Sequence, residues 1–218
     1  MRVFISKNEA DCSSLIQWKE CNRFAWTFKS LISTSPVEFE KNGIFDWLFF
    51  GSKNAVKYYV KKTTISSKEK IACIGESTAA EFLKIGVKPS FIGKNSGKPS
   101  EIGQELKKIV KNERIFFPES NLSKKTISSL FSTEQKCCEV VYQTIPEEVV
   151  ISDCDIYVFT SPSNVISYLK NNNLPVSARV IAWGETTALE LLSQKQIANV
   201  VLENSSMTEL KTELLKLI

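Results

Sequence analysis

Two short turns, each running into a helix-like pattern, hold the residue types best suited to meet a ligand. FFGSKNAV at 49–56 places Ser52, Lys53 and Asn54 after an apolar run, and CIGESTAA at 73–80 places Gly75, Ser77 and Thr78 after another. Both turns recur. VFTSPSNV at 158–165 carries Ser161, Ser163 and Asn164, and AWGETTAL at 182–189 carries Gly184, Thr186 and Thr187. Ser161 reads as a helix N-cap with Pro162 in the first helical position, where its missing N–H costs nothing. Gly184 permits a tight turn, and Thr186 or Thr187 is expected to cap the helix that follows. The first N–H groups of such helices, at the positive end of the helix dipole, can receive an anion. Capping alone would explain any single one of these residues. The functional reading rests on both turns occurring twice, giving four helix starts, two in each half of the chain.

The chemistry left open is narrow. The chain contains no histidine, so a Ser-His-Asp triad is impossible and the usual neutral-pH base is missing. There is no G-x-G-x-x-G, no P-loop and no G-x-S-x-G elbow, which argues against nucleotide enzymes and hydrolases. Cysteines stand at 12, 21, 73, 137, 138 and 154 with no C-x-x-C pair, so zinc and iron–sulfur sites are not expected. Adjacent Cys137 and Cys138 on a strand would face opposite ways. Cys73 reads as a small core residue, and the set as buried reduced thiols. Proton transfer must then use Tyr, Asp, Glu, Lys, hydroxyls or backbone groups.

Those turns need a scaffold, and the chain alternates to supply one. Strands are expected at 3–5, 24–33, 44–50, 70–74, 90–92, from Arg114 through RIFFPES, at 137–144, 155–160, 179–183 and 199–202. Helical spacing covers 9–21, 54–62, 77–85, 101–111, 123–131, 163–171, 186–194 and 207–217. Strands alternating with helices imply parallel sheets covered on both faces, hence two doubly wound α/β lobes. Asp46 matches Asp155, Ser52 matches Ser161, Gly75 matches Gly184 and Thr78 matches Thr187, each pair 109 positions apart (155 minus 46, and likewise for the rest). RIFFPES likewise resembles RVFISKN, with Arg114 against Arg2. The chain is a duplication.

Composition fits a globular protein, with 43% hydrophobic and 24% charged residues. A net charge of +4 with lysines gathered at 53–70 reads as a solvated helix face that would help draw in an anionic small molecule. No nucleic-acid module is present. The longest apolar runs, WLFF and IYVF, fall far short of the roughly 20 residues of a membrane span. The N-terminus reads as a first strand rather than a signal segment. A cytoplasmic monomer is the expectation.

The duplicated turns, with FFPESNL and VVYQT (140–144) between them, resemble the uroporphyrinogen-III synthase family in order along essentially the whole chain. That resemblance implies a fold of two flavodoxin-like parallel-sheet lobes joined by a two-stranded linker, with a central cleft. Lobe one would be residues 1–35 with 146–218, lobe two 38–143, and the linkers about 34–38 and 143–147. It implies a cofactor-free, metal-free enzyme that closes linear hydroxymethylbilane to uroporphyrinogen III, inverting the last pyrrole ring and losing water. The substrate carries eight carboxylates, for which the residues of the four turns would be the binding groups. Tyr142 would donate the proton to the leaving hydroxyl, as a phenol that stays protonated at neutral pH can. A transient contact with the preceding enzyme of the pathway is also implied. The chain departs from the family pattern at Ser6–Lys7, where Thr-Arg is common, so a bidentate carboxylate contact is lost there. In PESNLSKK at 118–125, Lys124 and Lys125 stand in for an arginine-bearing turn. A non-catalytic two-lobed binding protein or sensor for an anionic molecule is the other reading, though no output domain accompanies it.

Overall fold

The computed structural model describes residues 1–217, and in it the apolar runs become short strands. In chain order these are β1 (Arg2–Ile5), β2 (Ala25–Phe28), β3 (Ile32–Pro36), β4 (Trp47–Phe50), β5 (Lys70–Cys73), β6 (Phe91–Ile92), β7 (Ile115–Ser120), β8 (Lys136–Pro146), β9 (Ile156–Phe159), β10 (Arg179–Ala182) and β11 (Val200–Val201). The helices between them are α1 (Ser13–Ile16), α2 (Lys53–Lys62), α3 (Glu76–Leu83), α4 (Pro99–Val110), α5 (Pro162–Asn171), α6 (Glu185–Ser193) and α7 (Met207–Leu215). The chain divides into two compact units, unit one holding Met1–Ser33 with the chain from Ile145 on, and unit two holding Thr34–Thr144.

Unit one has a five-stranded sheet ordered β11-β10-β9-β1-β2, with neighbours parallel. Counted in its own chain order this is the doubly wound 2-1-3-4-5 arrangement. Unit two repeats the order as β8-β7-β4-β5-β6, again parallel, with β3 added on the edge beside β8. The duplication is therefore exchanged. Strands β1 and β2 of the first repeat complete the sheet made by β9–β11 of the second, and β7 and β8 complete β4–β6.

Corresponding residues hold corresponding places. The Asp46 carboxylate accepts the N–H of Arg114 at 2.9 Å, and that of Asp155 accepts the N–H of Arg2 at 2.7 Å. The carbonyls of the same two aspartates accept the N–H groups of Lys70 and Arg179. These aspartates pin the register where the central strands begin, at the end of each sheet away from the paired turns. Their repetition reflects folding rather than chemistry.

Both faces of each sheet are covered, which is why the central strands are apolar without alternation. In unit two, Leu48, Phe50, Ile71 and Cys73 pack to one side, with Tyr59 and Phe82. Trp47, Phe49 and Ala72 pack to the other, with Ile102 and Leu106. In unit one, Val3, Ile5, Ile156 and Val158 face one layer, and Phe4, Tyr157, Phe159 and Tyr168 the other. Each buried aromatic or aliphatic side chain contributes about 1.5–3 kcal/mol. Cys137 and Cys138 do point to opposite layers. Cys12, Cys73 and Cys154 are buried, whereas Cys21, Cys137 and Cys138 are only half-buried, so burial does not extend to the whole set. Burial pushes the Cys12 thiol up to about 11 and that of Cys73 up to about 12, leaving both protonated at neutral pH.

Among the described residues, the hydroxyl of fully buried Tyr59 has no hydrogen-bond partner. An unsatisfied buried hydroxyl costs about 1–3 kcal/mol, so Tyr59→Phe is expected to stabilise unit two by about 1 kcal/mol. Denaturant titration checks this; a lowered midpoint would show that the hydroxyl has a partner after all.

Two expected helices do not form. Over 9–21 there is a 3-10 turn at Glu9–Cys12, the single turn α1, and another 3-10 turn at Cys21–Arg23. Local side-chain contacts compete with a continuous helix here: the Trp26 indole donates to the Cys21 carbonyl at 2.9 Å, and Trp18 stacks on Phe24 at 6.0 Å. Over 123–131 only Ser128–Leu130 forms a 3-10 turn. Here serine hydroxyls compete with the helical ladder. Ser123 Oγ accepts the Lys125 N–H, Lys125 has a left-handed φ of 56°, and Ser128 Oγ donates to Glu119 at 2.7 Å. No described helix is long and apolar enough to cross a membrane.

Candidate active site

Parallel strands bring all the helix starts of a unit to the same edge of its sheet, beyond the strands' carboxyl ends. In unit two that edge begins at Ser52, the N-cap of α2, whose Oγ accepts the Ala55 N–H at 3.0 Å. In unit one Ser161 caps α5 in the same way, accepting from Asn164 N–H at 3.4 Å. The turns at Gly75 and Gly184 differ from expectation. Helices α3 and α6 begin at Glu76 and Glu185 with the glycines as N-caps, and no side chain caps either. Thr186 and Thr187 lie inside the first turn of α6, as Ser77 and Thr78 do in α3, so neither threonine is the cap. Thr78 and Thr187 are buried beneath their helices. No side chain caps the leading N–H groups of α3 and α6, which can take an outside acceptor, whereas the third in each, of Thr78 and Thr187, donates back to the Gly75 and Gly184 carbonyls at 3.1 Å. A Cβ at Gly75 would sit 3.1 Å from Ser96 Cβ, a tight contact to which Ser96 would have to yield by a few tenths of an ångström.

Asn164, expected as a binding group, is consumed internally. Its Oδ1 accepts the Leu31 N–H at 2.8 Å and its Nδ2 donates to Ser161 Oγ at 2.9 Å, leaving the residue 4% exposed. Ser163 Oγ lies 3.1 Å from Ser161 Oγ. Lys53 is exposed and Asn54 half-buried on the first turn of α2. Ser6 is also internal, taking the Thr160 N–H at 2.8 Å where β1 meets β9. Lys7 places its ammonium 5.0 Å from the Trp183 ring centre, beside the Gly184 turn. Lys124 and Lys125 are exposed in the loop after β7.

Tyr142 is the best-held group at the unit-two edge. It pairs with Ser120 at the end of β7, just past a register shift at Glu119/Ser120. Its Oη lies 2.9 Å from Ser52 Oγ, and its ring stacks on Tyr58 at 5.5 Å and 17°. Asn121 fixes the backbone just after the Tyr142 side chain: its N–H donates to the Tyr142 carbonyl at 3.3 Å, and its Oδ1 accepts the Thr144 N–H at 2.8 Å. Sequence reading missed Tyr58 and Asn121. Tyr58 follows Ser52 by six positions on α2, but nothing in the local pattern says that a strand ninety residues away will meet both. Beside this cluster, within unit two, lies an open groove of about 600 Å³ lined by Val37, Phe39, Lys57, Tyr58, Lys61 and Lys62 among others. Its lysines add positive potential near the edge.

Strand order, parallel pairing and these edges define a class: a chain of two doubly wound α/β units whose helix starts can take an anionic ligand, with one phenol held at the edge of unit two. The family model for uroporphyrinogen-III synthase HemD matches residues 27–210, and the chain belongs to that family. Among solved structures, the uroporphyrinogen-III synthetase of Helicobacter pylori is similar at 17% identity and a TM-score of 0.71, covering 100% of both chains. A mutant uroporphyrinogen III synthase of Thermus thermophilus is similar at 13% identity and a TM-score of 0.63, covering 100% of this chain and 98% of that one. At these identities the two likenesses speak to the fold. No curated protein is matched by sequence.

Proposed function

We propose that the chain closes hydroxymethylbilane to uroporphyrinogen III, as a lyase of tetrapyrrole synthesis. The family match over residues 27–210 carries this reading. The site supports it through helix starts suited to carboxylates and one phenol suited to proton donation.

In this reading the substrate's carboxylates are received by the leading N–H groups of α3 and α6, and by the first turns of α2 and α5 with Ser52, Lys53, Asn54, Ser161 and Ser163. Lys7 adds a cation beside α6. Residues about 34–38 and 143–147 serve as linkers between the units. Tyr142 lends its proton to the terminal hydroxyl as the carbon–oxygen bond breaks, and water departs. The carbon left electron-poor is attacked by the substituted carbon of the last pyrrole, giving a spiro intermediate that rearranges with that ring inverted. Aromatisation releases one proton, which restores Tyr142, so the net change is the loss of one water. Ser52 Oγ already accepts the Ala55 N–H. Its own proton can therefore point to Tyr142 Oη, which leaves the phenol proton free for the substrate. Much of the reactivity belongs to the pyrroles. The protein's part is to hold the ends so that inverted closure outruns direct closure.

The test is to incubate the pure protein with freshly made hydroxymethylbilane, oxidise the products and separate the uroporphyrin isomers. Type III well above the spontaneous type I is expected. Type I alone would reduce the chain to a binding protein. The reading also has the chain working in the cytoplasm as a monomer; sedimentation at working concentration checks the second point.

A further inference from the structure

We propose that Tyr58 is a positioning residue for this reaction, holding the Tyr142 phenol at its proton-donating angle; the inference rests on the reading of Tyr142 as donor. Helix α2 grips Tyr142 at two points. Its N-cap Ser52 meets the hydroxyl tip at 2.9 Å, and Tyr58, six positions on, lies flat against the ring at 5.5 Å. A single hydrogen bond at the tip would let the ring swing about that contact. The parallel stack removes the sideways freedom.

Tyr58 is itself anchored. Its hydroxyl donates to the Thr34 carbonyl at 2.7 Å and lies 3.0 Å from Thr34 Oγ1, and the residue is 8% exposed. The donor is thus fixed at its backbone by Asn121, at its tip by Ser52 and at its face by a second tyrosine that is pinned to β3. A fully committed hydroxyl gives Tyr58 no spare proton to lend, so its contribution passes through Tyr142. Displacing a reacting group by about 1 Å costs on the order of 10²-fold in rate. Loosening a ring that keeps its tip contact should cost less.

The experiment measures isomer-resolved initial rates on hydroxymethylbilane for Tyr58→Phe, Tyr58→Leu, Tyr142→Phe and the two double variants. Tyr58→Leu is expected to lower kcat about tenfold with KM within about twofold. Tyr58→Phe keeps the ring and should recover most of that loss. Each double variant should be no slower than Tyr142→Phe alone, because Tyr58 acts only through the phenol. The inference is overturned if Tyr58→Leu turns over at the parental rate, if its loss lies in KM, or if the losses multiply in the double variants. Should Tyr58→Leu fail to fold, Tyr58→Met replaces it, keeping much of the volume while removing the flat ring, and is read by the same kcat loss and the same non-additivity with Tyr142→Phe. A parental rate for Tyr142→Phe would instead remove the donor reading, and the positioning role with it.

Discussion

Tyr142→Phe is expected to lower kcat by about 10²-fold or more, the usual worth of a general acid, while KM stays within about twofold. The hydroxyl deleted is the one that reaches Ser52 Oγ at 2.9 Å, and the ring that remains still stacks on Tyr58. Losing one partly buried hydrogen bond costs about 0.5–1.5 kcal/mol, too little to unfold a domain of ordinary stability. KM should hold because no carboxylate contact is removed. The product should change as well as the rate: with the enzymatic closure slowed, spontaneous closure takes a larger share and the isomer ratio moves from type III towards type I. Parental kcat with an unchanged ratio would end the proton-donor role. Ser52→Ala bears on the same point differently, since it removes the N-cap of α2 together with the tip contact, and is expected to cost about 0.5–2 kcal/mol of stability.

The largest effect on folding is expected from Phe50→Ala. Phe50 is fully buried at the centre of unit two, edge-on to Phe82 at 4.7 Å and to Tyr59 at 5.3 Å. Truncating a ring there removes its transfer energy and leaves a cavity, a loss of about 3–5 kcal/mol. Against a total of about 5–15 kcal/mol for a domain, that leaves unit two barely folded. Its partner in the duplication is Phe159, fully buried in unit one and edge-on to Tyr168 at 5.3 Å. Phe159→Ala should therefore move the damage to unit one. Peptide-resolved hydrogen exchange separates the two cases. Phe50→Ala should strip protection from 34–144 and spare 1–33 and 145–217, with the reverse for Phe159→Ala. Equal loss everywhere in both variants would mean that the chain unfolds as one cooperative block, contrary to the separate cores.

Much of this protein could be read from its letters. Alternating apolar runs and helical spacings specify doubly wound sheets because burial on both faces leaves a local mark on every central strand. The constant separation of Asp46 from Asp155 and of Gly75 from Gly184 marks the duplication, and family membership follows from the ordered turns. Where side-chain competition outweighs helical spacing, at 9–21 and 123–131, periodicity misleads. The serines and tryptophans involved take partners two to nine residues away, through side-chain contacts that apolar periodicity does not register.

Periodicity leaves open which repeat lends strands to which sheet, since β1 and β2 would pair as well by pattern with either set of three; the tertiary structure decides it. It also decides which of the repeated polar residues remain available. Asn164 looks like a binding group until Leu31 claims it, and the duplicated aspartates turn out to pin strand register. Tyr142 gains its meaning in the same way, from Ser52 and Tyr58 on one helix and Asn121 on a loop. Helix and strand propensities act over a few residues, whereas the Tyr142 hydroxyl meets Ser52 only when chain segments ninety residues apart are laid side by side. That is why the scaffold is written locally and the site is not.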